Sequence, residues 1–327
     1  MLNPPLLFLN YNRPHLTLQV LAAIRAARPS KLFVAADGPR SGKPGDYEKC
    51  QAVRNVLRDG IDWDCEVHTL LRDENVGCKA AVSSAVTWFF DNVEEGIILE
   101  DDTLPSPSFF PFCAELLERY RHTQEILHIS GDNFQMGRMR GFNSYYFSIY
   151  NHNWGWATWR RAWQLYDVDM NRFPELRQDD SWQGIFQSTA ERDYWLNMLR
   201  MTWEGKIDTW DFQWIFAVWI NRGLSVLPNV NLVSNIGFRG DGTHNVSNIS
   251  SPLAELPTGA LGRLDHPLRI AADRRADRFT FSHVFENKPA PKISRLELLS
   301  NRIWSGFLKK SRGLISPSGG RTVSKII

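Results

Sequence analysis

The sequence of 327 residues is short of several things, and each shortage narrows what the chain can be. It holds only four cysteines, Cys50, Cys65, Cys78 and Cys113, with neither a CxxC pair nor a regular spacing. That argues against a disulfide framework or a cysteine-built zinc site and for reduced thiols in a cytoplasmic protein. No apolar run approaches the ~20 residues of a membrane-spanning helix. The opening MLNPPLLFLNYNRP lacks the basic start of a signal peptide, so its apolar run reads as a strand. Net charge is only +2, which leaves no footprint for nucleic acid and no acidic tail. Internal repeats and low-complexity tracts are missing as well.

What is present is an alternation. PLLFLN (5–10), KLFVAAD (31–37), EVHTLL (66–71) and GIILE (96–100) read as strands. Helical patterns over about Pro14–Ala27, Asp46–Arg58 and Gly77–Asn92 separate them. Short apolar strands joined by amphipathic helices predict an α/β fold with a Rossmann-like, mainly parallel sheet covered on both faces. Such sheets bind ligands beyond the carboxyl ends of their strands. Four polar clusters fall there: Asn10-Tyr11-Asn12-Arg13, Asp37-Gly38-Pro39-Arg40, Arg72-Asp73-Glu74-Asn75 and Glu100-Asp101-Asp102. The second half carries most of the 13 tryptophans, a strand-like LSVLPNVNLVSNIG (224–237) and a glycine-rich FRGDGTHN (238–245).

The last of the four clusters raises a physical question. Three adjacent carboxylates close an apolar run and must be compensated by water, a basic partner or a bound cation. A solvated loop is the ordinary reading. The place at the ligand edge and the Pro-rich turn that follows favour a site for Mg²⁺ or Mn²⁺, hard cations that bridge carboxylates to phosphates. The D-x-D-x-T pattern of haloacid-dehalogenase-type phosphohydrolases is nearly matched by EDDTL. However, its nucleophile would fall on Glu100, and that motif normally ends a first strand, not a fourth.

A fourth strand ending in acids, then a Pro and an aromatic-rich helix, resembles the D-x-D region of GT-A-fold glycosyltransferases. The likeness is to the N-acetylglucosaminyltransferase I type, inverting enzymes with an E-D-D-x-x-x-x-P signature; this chain has E-D-D-T-L-P and a second Pro at 107. NWGWATWRRAW (153–163) is similar to the family's glycine-tryptophan loop, TWDFQW (209–214) to its tryptophan-aspartate segment and FRGDGTHN to its histidine-ending stretch. These segments follow family order over roughly residues 1–250. The chain departs from the family in WDF where the pattern has WDD.

The resemblance implies a metal-dependent transfer of a sugar from a nucleotide donor, UDP favoured, to a glycan or glycolipid hydroxyl. It makes Asp102 the ligand of Mn²⁺ or Mg²⁺, with His244 as a second candidate contact to metal or diphosphate, and turns Glu100 and Asp101 to ribose and sugar hydroxyls. Gly155 belongs to the donor loop, and Asp211 is the general base, with Asp208 the fallback one helical turn earlier. From the residues themselves, Asp37 could accept the N3–H of uracil, although an Asp before Gly-Pro is also a common turn starter. Asn10 shares the donor edge. Arg13 and Arg72 could neutralise phosphate, with Lys79 weaker, and Trp210 and Trp156 could offer flat faces to a sugar, although such aromatics are as often core. The competing reading is a non-catalytic carbohydrate- or nucleotide-binding protein.

Residues 1–104 are expected to form the nucleotide-sugar half, 105–285 the acceptor and catalytic half, and 286–327 a basic tail. From Lys288 onward there are nine Lys or Arg and one acid, Glu297. Leu296, Leu299, Ile303 and Phe307 make one apolar helix stripe. It reads equally as a helix packed on the domain or as one lying on an anionic membrane.

Overall fold

The expected alternation is built as strands and helices with nearly the predicted bounds. A computed structural model describes residues 3–176, 182, 184–238 and 253–286. The first half runs β1 (Leu6–Asn10), α1 (Pro14–Ala27), β2 (Lys31–Ala36), α2 (Asp46–Gly60), β3 (Glu66–Leu71), α3 (Cys78–Asn92) and β4 (Glu95–Glu100). Local signals account for the limits. Pro14 opens α1, where its fixed φ suits the first turn, and Arg28 closes it in a left-handed conformation with its N–H on the Ile24 carbonyl.

The chain continues through β5 (Thr103–Pro105), α4 (Phe109–Tyr120), β6 (Ile126–Ser130), β7 (Tyr145–Ser148) and β8 (Trp156–Trp159). Then come the short helices α5 (Arg160–Trp163) and α6 (Phe173–Leu176), followed by α7 (Thr189–Trp203) and α8 (Asp211–Ile220). β9 (Leu224–Pro228), β10 (Val233–Asn235) and α9 (Arg274–Thr280) follow. Ser188 caps α7 by accepting the Glu191 N–H at 3.1 Å, and the Glu191 carboxylate in turn accepts the Gln187 N–H and the Tyr150 hydroxyl.

Eight strands form one sheet in the order β3-β2-β1-β4-β8-β6-β9-β7. β3, β2, β1 and β4 are parallel; β8 runs against β4 and β6, and β7 against β9. The sheet is therefore Rossmann-like, with six strands in one direction. Strand side chains alternate between two buried faces. Leu6, Phe8, Val34, Ile97 and Leu99 pack under α1, α2 and α4, whereas Leu7, Leu9, Phe33 and Ile98 pack under α3 and α8. The second face holds most of the described tryptophans, whereas Trp63 and Trp159 lie in the first. Seven consecutive residues of α8, Gln213 to Trp219, are buried.

Two expectations change. The stretch 224–237 is not one strand: β9 stops at Pro228, and β10 leaves to pair with β5 in a separate two-stranded sheet. Asn229 and Asn231 stabilise the break, Asn229 donating to the carbonyls of Arg140 and Asn143, and Asn231 accepting the Asn133 N–H. Trp156 and Trp210, offered as sugar platforms, are core: Trp156 is fully buried, Trp210 is 4% exposed, and their rings stack at 5.6 Å. No helix among the described residues is long and apolar enough to cross a membrane. The tail stripe lies outside the described residues.

Because Trp156 packs on His128, Trp163, Trp210 and Trp214, Trp156→Ala should cost about 3–5 kcal/mol of stability. In urea this is expected as a lower midpoint with the slope little changed. A stable variant with impaired sugar binding alone would restore the platform role.

Candidate functional site

The carboxyl ends of β1, β2, β3 and β4 open on one edge of the sheet, and the four polar clusters meet there. Arg13 caps α1, its carbonyl accepting the N–H groups of Leu16 and Thr17. Its side chain reaches the end of β4. One guanidinium nitrogen binds Asp101 Oδ1 and the other binds Asp102 Oδ2 at 2.9 Å. The basic partner that the triplet requires is thus part of the chain itself. Thr103 Oγ1 closes the turn by donating to the Glu100 carbonyl and accepting the Glu100 N–H.

The same turn is held from the other side. The Ile236 N–H donates to the Asp102 carbonyl at 2.8 Å, just past the β5–β10 pair. Gly237 lies so close that a Cβ there would collide with the Asp102 carboxylate. Only glycine allows this approach.

Electrostatics at the turn are severe. Burial, then the charges of Asp102 and Asp101, push the Glu100 carboxyl up to about 8, with Arg13 opposing and Asp211 adding to the rise. Burial raises Asp101 as well, Arg13 offsetting part of it, and Asp101 Oδ2 has no hydrogen-bond partner. Burial works against the charge on Arg13, but the two aspartates outweigh it and its pKa rises.

At the end of β2, Asp37 clasps the loop between β3 and α3. Its Oδ1 accepts the N–H groups of Gly38 at 3.0 Å and Val76 at 3.2 Å, and its Oδ2 accepts Asn75 Nδ2 at 2.7 Å. Burial nevertheless raises its pKa, with those N–H groups and Arg72 opposing. Asn10 donates to the Phe8 carbonyl, and its buried Oδ1 has no partner. Arg72 donates to Ser84 Oγ at 2.8 Å. Lys79, at the second position of α3, is half-buried.

Asp46 escaped the sequence reading, which took it as a helix start. It is the hub of the neighbouring loops, accepting from Tyr11 Oη and Asn12 Nδ2, each at 2.6 Å, and from the backbone and guanidinium of Arg40. Burial alone would raise its pKa, but these bonds hold it well below the usual range. The Gly-Asp step at 45–46, just after a Pro, was its only sequence signal.

From the second half, Asp211 is the first residue of α8, and its Oδ1 accepts the Phe212 N–H at 2.9 Å and the Thr209 hydroxyl. Asp208 precedes the helix, so the two acids do not share a helical face. A Cβ on Gly77 would lie 3.6 Å from Asp208 Oδ2, which places Asp208 at the start of α3. The Cys78 thiol is pushed up to about 12 by burial and then by Glu100, Asp211, Asp208 and Asp37. The charges of all four acids thus reach the first turn of α3. Gly155 has a backbone reason for its identity: its φ is +64°, and a Cβ would lie 2.8 Å from Val233. His244 lies outside the described residues.

Among the described residues, no three acid, histidine or cysteine groups converge into a protein-only metal site. The turn supplies one or two hard oxygen ligands, the number that Mg²⁺ or Mn²⁺ takes when phosphates and water complete the shell. The unpartnered Asp101 Oδ2 and the carboxylate of Asp102 fit that role. A groove of about 620 Å³ lies elsewhere, at the opposite ends of β1 and β4 between α1 and α4, lined by Ala23, Ala27, Pro29, Ile97, Phe110 and Ala114. It is apolar and brings none of these acids together.

No family model matches the chain, and no curated protein matches it by sequence. Among solved structures, likenesses are found at low superposition scores. HddC from Yersinia pseudotuberculosis covers 48% of this chain and 77% of its own, at 8% identity and a TM-score of 0.32. A UDP-glucose pyrophosphorylase complexed with UDP-glucose covers 69% and 90%, at 9% identity and 0.35. The 4-diphosphocytidyl-2C-methyl-D-erythritol synthase from Anaerococcus prevotii covers 55% and 82%, at 8% identity and 0.26. Scores this low leave the functional argument to the site itself.

The raised carboxyl of Glu100 fixes a pH dependence. Its folded pKa of about 8 lies above its ordinary 4.5, so the folded chain keeps a proton that the unfolded chain has released. Stability from this group is full below about pH 4.5 and is lost as pH rises through about 8. Metal-free protein should melt lower at pH 8 than near pH 5, and Glu100→Gln should reduce the difference, the rest belonging to Asp101, Asp132 and Asp277, whose carboxyls burial also raises. An unchanged slope in the variant would assign it to another group.

Proposed function

We propose that the chain is a glycosyltransferase that transfers a sugar from a nucleotide donor, with inversion, to a hydroxyl of a glycan or glycolipid. One observation carries the reading: Asp37 ends β2 and the acidic turn ends β4 at the same edge of a Rossmann-like sheet, where the charge of Asp211 at the start of α8 acts on Glu100 and that of Asp37 acts on Cys78. Three parts of a donor have matching chemistry there. The Asp37–Asn75 clasp presents an acceptor and an amide to a nucleobase, and a carboxylate at Asp37 matches the N3–H of uracil better than the acceptor of cytosine. Arg13 is the cation nearest the acidic turn and suits a diphosphate. Glu100 and Asp101 present oxygens to ribose and sugar hydroxyls.

Mn²⁺ or Mg²⁺ held through Asp102 would neutralise charge on a departing diphosphate. The chain's own residues do the remaining work. Asp211, held by Thr209 and the Phe212 N–H, takes the proton of the acceptor hydroxyl as that oxygen attacks the anomeric carbon. Inversion follows because attack and departure occupy opposite faces. The buried α8 behind Asp211 keeps the base in place. Arg13 serves the diphosphate only when its grip on the two aspartates loosens.

The test is Asp211→Asn, which preserves size. Affinity for UDP should stay near that of the unaltered protein, while turnover falls by about 10²–10⁴-fold, the usual contribution of a general base. NMR of the product should show the anomeric configuration inverted. Full turnover in the variant, or a retained configuration, would contradict the mechanism, and absence of nucleotide-sugar turnover under all conditions would favour a binding protein.

A further inference from the structure

We infer that Arg13 is a built-in counter-cation of the acidic turn, and that a divalent metal and Arg13 compete for the Asp101–Asp102 pair, so that metal binding frees Arg13 for the diphosphate. The inference rests on the proposed nucleotide-sugar reading and adds an exchange step that binding chemistry alone does not require.

The geometry supports competition and not coexistence. Arg13 takes one oxygen from each aspartate with its two terminal nitrogens, so a single planar fork spans both carboxylates. All three side chains are largely shielded, at 14% exposure for Arg13, 3% for Asp101 and 13% for Asp102. Little water screens them, and a dication brought to the remaining oxygens of the same two carboxylates, Asp101 Oδ2 among them, is repelled by the guanidinium. A dication at Asp102 must therefore weaken the Arg13 contact. Arg13 lies in the turn between β1 and α1, where its backbone is fixed by the Leu16 and Thr17 N–H groups, so only the side chain need move.

Two consequences follow. Without metal, Arg13 keeps a closely spaced acidic pair from repelling itself, so the turn stays formed. With metal and a nucleoside diphosphate together, the displaced guanidinium gains a new anionic partner, so each ligand raises the affinity for the other. Such mutual effects between two ligands are reciprocal.

The experiment measures Mn²⁺ binding by calorimetry to the full chain, with and without UDP, in the unaltered protein, Arg13→Gln, Arg13→Lys and Arg72→Gln. Thermal melting of the same proteins is recorded without metal and with Mn²⁺ alone. Arg13→Gln should melt lower than the unaltered protein without metal, bind Mn²⁺ alone about tenfold more tightly, and lose most of the enhancement by UDP, within the range usual for coupled sites. Arg13→Lys, which meets one carboxylate at a time, should show the same changes to a smaller degree and covers the case in which the glutamine variant does not fold. Arg72→Gln removes an equal charge from the same edge without touching the pair and should leave Mn²⁺ affinity alone nearly unchanged.

If the unaltered protein binds Mn²⁺ in the presence of UDP but the Arg13 variants bind it no more tightly, the exchange is wrong and the metal reading stands. An equal gain in Arg72→Gln would reduce the effect to the general field of the edge and overturn the exchange. If no protein binds Mn²⁺ even with UDP, the metal reading falls, and the exchange falls with it.

Discussion

The contact between Arg13 and the Asp101–Asp102 pair is the constraint on which the rest of this edge depends. A buried strand that ends in three carboxylates is unfavourable unless a positive charge meets them, and removing one member of a buried ion pair leaves an uncompensated charge costing about 3–5 kcal/mol. Arg13 caps the start of α1, and the acids come from the end of β4, 88 and 89 residues later in sequence. The pair therefore ties the start of the fold to its fourth strand. The β5–β10 ribbon completes the enclosure by laying Ile236 and Gly237 against Asp102. Charge balance and chain topology are satisfied by the same few contacts.

The tryptophan-rich face serves the site indirectly. Trp210 stacks on Trp156, which stacks on His128, and Trp214 Nε1 donates to His128 Nδ1 at 3.1 Å. Burial holds His128 neutral, with a pKa pushed down to about 3, so it accepts that bond without bringing a charge into the core. This packed layer fixes the first turn of α8 and with it Asp211. An acid at the start of a helix is also favoured by the helix dipole. The aromatics are thus a rigid bed for the candidate base.

Much of this was legible in the sequence, and the reason is local. Pro14, the apolar runs of β1, β2 and β4 and the helical periodicity between them each bury a defined face, so strand ends and helix starts fell close to their observed places. The acidic triplet demanded a counter-charge from composition alone, although which of several arginines supplies it is a long-range fact. The misreadings share that origin. Trp156 and Trp210 read as well for a platform as for core, because only tertiary packing shows that their faces are covered. Asp46 looked like a helix start, since its five contacts come from Tyr11, Asn12 and Arg40, partners that no spacing rule links to it. The split of 224–237 hinged on Asn229 and Asn231 finding carbonyl and N–H partners around 90 residues away.

The central claim is that the strand-end edge around Arg13, Asp37 and Asp102 is the nucleotide-sugar site. A crystal structure of the protein with UDP and Mn²⁺ tests it most directly. The account predicts the uracil ring against the Asp37–Asn75 clasp and the diphosphate between Arg13 and Asp102. UDP bound in the apolar groove between α1 and α4, or anywhere else away from that edge, would contradict it.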